Sequence, residues 1–107
     1  MSVRYVRNRD VKKVLLGVPA GHKHLRLAVE LTDDKVLIFS EATIANIVRA
    51  YVCVKTHPIR RAIELKAARL TVCPELKEGY SEYQLLETSR DEEEIVKELS
   101  ELIAEAQ

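Results

Sequence analysis

Leu25-Arg26-Leu27-Ala28-Val29-Glu30-Leu31, then Thr32-Asp33-Asp34, then Lys35-Val36-Leu37-Ile38-Phe39-Ser40, is the most strongly patterned part of the chain. Leu25, Leu27, Val29 and Leu31 alternate with His24, Arg26 and Glu30, the period of a half-buried antiparallel strand. Thr32-Asp33-Asp34 supplies a tight turn. The nearly unbroken apolar run after it has strand length and suits a central position in a sheet, covered on both faces. Upstream, Val11 to Val18 reads as another strand, interrupted by Lys12-Lys13 and Gly17, and Pro19-Ala20-Gly21 has the chemistry of a turn. Together these segments predict a three-stranded meander. Residues 3–7, Val-Arg-Tyr-Val-Arg, are short and β-prone as well.

Downstream the period changes. Ser40 suits a helix cap, and residues 41–55 place Asn46, Arg49, Cys53 and Thr56 on one side and Ile44, Ile47, Val48, Tyr51 and Val52 on the other. His57-Pro58 breaks that helix, and good helix formers through Leu70 predict a second one over 58–70, although residues 63–67 also fit a strand. Cys73 to Gly79 reads as a connection and Tyr80 to Glu87 as a short strand. Ser89 and Glu92 have the form of a capping box before a helix running to about 105, with a seam of Ile95, Leu99, Leu102 and Ala106 widened by Val96 and Ile103. The expected fold is a single α+β domain over residues 1–107, ordered β-β-β-α-α-β-α. It has a three-stranded antiparallel meander plus one further strand, with two or three helices packed on one face.

At 107 residues the chain has room for one domain, and 47% hydrophobic with 32% charged residues excludes disordered and collagen-like classes. Seventeen basic and seventeen acidic groups balance, but not locally. Residues 1–69 carry fourteen basic and six acidic side chains, a difference of +8, and residues 70–107 carry three and eleven, a difference of −8. No run approaches the roughly twenty apolar residues that cross a bilayer, and no secretory signal is apparent, so the expectation is a cytoplasmic protein with no membrane partner. Cys53 and Cys73 then read as ordinary thiols. The scarcity of Asn, Gln and Met beside abundant Glu, Lys and Arg fits a thermophile, some of which keep intracellular disulfides.

No diagnostic catalytic motif is present. Gly17-Val-Pro-Ala-Gly21-His-Lys23 lacks one spacer of a phosphate-binding loop and its proline removes a donor. His22, His24, His57 and the cysteines include no Cys-x-x-Cys or His-Glu-x-x-His spacing, so neither metal nor cofactor is expected. Cys53 and His57 have the separation of a helical nucleophile and base pair, but Pro58 pulls the chain away and nothing is placed to orient the imidazole. No catalytic residue is expected. The sequence instead points to a small non-enzymatic protein contacting the backbone of RNA or DNA. The candidate contacts are Arg4, Arg7, Arg9, Lys12, Lys13, Lys23, Arg60 and Arg61, with Tyr5 interleaved as a stacking ring. The alternative is a homo-oligomer, or a module for a protein partner, whose basic and acidic halves pair with each other or with that partner.

Overall fold

The structure, a computed structural model, describes residues 2–69 and 83–106. Its order is β1 (Val11–Gly17), β2 (Arg26–Leu31), β3 (Val36–Ser40), α1 (Glu41–Thr56), β4 (Leu65–Arg69), β5 (Tyr83–Glu87) and α2 (Glu92–Ala106). The meander forms as the sequence predicts, antiparallel in the order β1-β2-β3, while β4 and β5 make a separate antiparallel pair. The fold is α+β, but its helices have no single sheet to share. Residues 2–7 form no strand; a short 3-10 turn at Asn8–Asp10 leads into β1.

Register sorts the meander's side chains. Leu16, Leu27 and Phe39 lie abreast on one face with the row Val14, Val29 and Leu37, and the other face carries the rows Leu15, Ala28, Ile38 and Lys13, Glu30, Val36. The β2–β3 hairpin closes through Leu31 N–H to the Lys35 carbonyl at 2.8 Å and Asp34 N–H to the Leu31 carbonyl at 3.0 Å. Asp34 takes the left-handed conformation with φ 67°, which aspartate tolerates better than most residues. At the other end, Gly21 (φ 80°) completes a turn in which His22 N–H bonds the Pro19 carbonyl at 3.0 Å. Among the described residues the run Val36 to Ser40 is an edge strand, not a central one; β2 is central.

Ser40 caps α1, its hydroxyl accepting from Thr43 N–H at 3.3 Å. Ser40→Ala should lower stability by about 1 kcal/mol, read by denaturant titration at fixed protein concentration. The helix turns its small residues inward: Ala42, Asn46, Ala50 and Cys53 are half-buried, whereas Ile47, Val48, Tyr51 and Val52 are exposed. Asn46 spans the contact with β5, donating to the Ala42 carbonyl at 2.7 Å and to Gln84 Oε1 at 3.0 Å. Thus the side chosen for burial is the one on which sheet and helix backbones can approach closely. The large apolar stripe faces outward.

The predicted helix over 58–70 is absent. His57 Nδ1 accepts from the backbone N–H groups of Ile59 (3.2 Å) and Arg60 (2.9 Å), folding 57–60 into a turn. Residues 61–64 run on without regular structure into β4, which pairs Leu65, Ala67 and Arg69 with Glu87, Leu85 and Tyr83. Long-range strand pairing overrides local helix propensity there. The connection Cys73 to Gly79 and the first three residues of the strand expected at Tyr80 to Glu87 lie outside the described residues.

Helix α2 begins two residues later than a Ser89 cap would start it: its cap is Asp91, whose Oδ1 accepts from Glu93 N–H at 2.8 Å. Glu92 reaches away from its own helix to accept from the N–H groups of Arg61 and Ala62. Ile95 and Ala62 are buried beside this contact, and Leu99 and Ile103 stay exposed.

Candidate interaction surfaces

The eight basic candidates fall into separate settings. Arg4, Arg7, Arg9, Lys12 and Lys13 gather around the start of β1, and most are paired there. Arg4 bonds Asp33 at 2.6 Å; Arg7 lies 3.7 Å from Asp10; Lys12 lies 3.5 Å from Glu30 and 3.9 Å from Asp34; Lys13 lies 3.5 Å from Glu30. Arg7 also stacks over the Tyr5 ring, 5.6 Å from its centroid. Among the described residues neither Arg9 nor Lys23 has a carboxylate partner, and Lys23 is exposed beside the 19–22 turn. Arg60 pairs with Glu87, and Arg61 contributes its backbone N–H to Glu92. No hydrogen bond or ion pair among the described residues joins Arg60 and Arg61 to the N-terminal group.

The N-terminal cluster is therefore a mixed-charge network. The Arg4 guanidinium holds the Asp33 carboxyl below its ordinary value of 3.8, and the Arg7 backbone N–H does the same for Asp10. A carboxyl depressed in the folded state contributes fully above its unfolded value and loses that contribution as pH falls through the folded one. The anchoring of residues 4–10 onto the hairpin should accordingly persist at neutral pH and loosen only below about pH 4. Carboxyl and amide shifts of Asp33 and Lys35 in an NMR titration would report it; loosening near pH 6 would contradict it.

Among the described residues no side-chain hydrogen bond joins His57 to Cys53. The imidazole Nδ1 is occupied by the turn it organises, and the half-buried Cys53 offers its carbonyl, not its thiol, to His57 N–H at 3.0 Å. His24 Nδ1 meets Glu41 Oε2 at 3.2 Å, and no cluster of three metal-ligating side chains exists among the described residues. A cleft of about 350 Å³ lies between 57–64 and α2. Its polar lining is already committed, Glu64 to Thr88 at 3.2 Å and Arg90 at 2.9 Å, and Arg90 in turn to Glu98, which with Glu64 keeps Arg90 firmly protonated.

What the described residues do leave unsatisfied is apolar. Only Leu31, Ala62 and Ile95 are buried apolar side chains, while Val14, Leu15, Leu16, Val36, Leu37 and Ile38 of the meander are all exposed. So are Ile47, Val48, Tyr51 and Val52 of the α1 stripe, Tyr51 to 63%. Sequence periodicity locates that stripe but cannot say which side of the helix faces the molecule. No family model, curated protein or solved structure matches this chain. No helix among the described residues is long and apolar enough to cross a membrane.

Proposed function

We propose that the chain works by association, as the subunit of a homo-oligomeric structural or interaction module, and not by catalysis. The observation that carries this reading is the exposure of apolar side chains on both faces of the meander and along the α1 stripe, on a chain with three buried apolar side chains among the described residues. Light scattering coupled to size exclusion tests the reading: a mass at a multiple of 12.2 kDa, little changed between low and high salt, is expected. A monomer at every concentration overturns it.

The stacked Tyr5–Arg7 pair beside Arg9 supports a second reading, contact with an RNA or DNA backbone. The local pairing of Arg4, Lys12 and Lys13 reduces the charge available for it. On this reading, anisotropy of labelled RNA and DNA should show saturable binding with a log-log salt slope of about 0.9 per phosphate contacted on duplex DNA. Tyr5→Ala with Arg7→Ala and Arg9→Ala should abolish it. Absence of binding at low salt removes this reading and leaves the first untouched.

A further inference from the structure

Resting on the association reading, we infer that the partner is a second copy of this chain. The two copies join edge to edge through β3, antiparallel, about a two-fold axis at Ile38.

The argument begins with the direction of the backbone groups. The bond from Leu31 N–H to the Lys35 carbonyl makes 31 and 35 a hydrogen-bonded pair. Antiparallel pairs alternate, so residues 35, 37 and 39 turn their backbone groups toward β2, and 36, 38 and 40 turn theirs to the open side. Among the described residues no strand occupies that side. An axis at Ile38 pairs Ile38 with Ile38 of the second copy and Val36 with its Ser40. In that register the outward-facing positions meet one another, which a shift of one residue would prevent.

The side chains agree with the same register. At each end of the paired strands Lys35 lies toward Glu41 of the second copy, the first residue of α1, whose carboxylate also holds His24 Nδ1 and the Leu25 N–H of its own chain. Leu37 comes abreast of Phe39 of the second copy. The row Leu16, Leu27, Phe39 then continues into Leu37, Val29, Val14 of that copy on the same face. On the opposite face Leu15, Ala28 and Ile38 continue into their own counterparts. Ile38, 69% exposed in the monomer, moves to the middle of a six-stranded sheet.

The other edges are guarded. β1 carries Lys12 and Lys13 at an irregularity in its pairing with β2, a device that blocks strand addition. Lys66 and Arg69 lie on β4 and Glu87 on β5. By contrast Val36-Leu-Ile-Phe-Ser40 holds no charge, proline or bulge. Its composition is that of a central strand, and pairing with a second copy makes it one.

Cysteine placement tests the register. In the full chain with Cys53→Ser and Cys73→Ser, Ile38→Cys should oxidise to a covalent dimer, because Cα atoms of a hydrogen-bonded antiparallel pair lie about 5.5 Å apart, within disulfide reach. Val36→Cys should not, since its counterpart is Ser40. Ile38→Pro removes an N–H that faces outward and none that holds the hairpin. It should halve the mass seen by light scattering and retain the circular dichroism of the parent. A parent that associates while Ile38→Cys stays uncrosslinked, or Ile38→Pro keeps the parent mass, overturns β3 pairing and leaves the association reading standing. A monomeric parent overturns both.

Discussion

Leu31→Ala is expected to lower stability by about 2–5 kcal/mol, the range for emptying a leucine site that cannot collapse. Leu31 is 1% exposed, the most completely buried of the described side chains. Backbone bonds hold it on both flanks: its own N–H is bound to Lys35, and the next residue, Thr32, donates to the Asp10 carbonyl at 3.0 Å. Arg4 ties the N-terminal segment to Asp33 just beyond. These ties keep the walls of the site in place when the side chain shrinks. A domain of this size has a total stability of order 5–15 kcal/mol, so the loss is a large fraction of the whole. Denaturant titration at fixed protein concentration measures it, with Ala62→Gly as a reference at the second small core, between 57–64 and α2. A loss below 1 kcal/mol for Leu31→Ala would mean that the hairpin end relaxes freely and is not a core.

Where the sequence was legible, the cause was local. The alternation of Leu27, Val29 and Leu31, the turn at 32–34 and the cap at Ser40 each act within a few residues, and β1, β2, β3 and α1 fall close to their expected bounds. The segment 58–70 was misread because its structure is set from elsewhere. Glu92 draws in the backbone N–H groups of Arg61 and Ala62 from 31 and 30 residues away, and β5 supplies the pairing for β4. Propensity alone carries no record of either contact. The charge count likewise depends on long-range pairing. Lys13 and Glu30 stand opposite each other only once the β1–β2 register is known, and with Lys12 on the same carboxylate the basic run loses much of its free charge. The apolar run of β3 reads as central, and among the described residues it is an edge; its composition describes an environment that those residues alone do not supply.

The α1 stripe meets the same difficulty, and charging it separates two accounts of its exposure. Ile47→Glu with Tyr51→Glu leaves the inward side, Ala42, Asn46, Ala50 and Cys53, untouched. Glutamate is also a better helix former than isoleucine or tyrosine. In a free monomer the double variant should therefore change stability by no more than about 0.5 kcal/mol, as exposed substitutions do. If the stripe is buried between copies, each new carboxylate must be desolvated or the contact abandoned, at a cost of several kcal/mol. Association through the stripe should then weaken by at least a hundredfold, a change of about 2.7 kcal/mol. Sedimentation equilibrium over a range of concentrations reads this directly. The expected result is a smaller assembly with undiminished helical circular dichroism. It should still exceed 12.2 kDa, because β3 pairing does not use the stripe, and adding Ile38→Pro should bring it to that value. An unchanged mass would place the stripe outside the assembly and leave the meander as the only one of the two apolar surfaces that copies share.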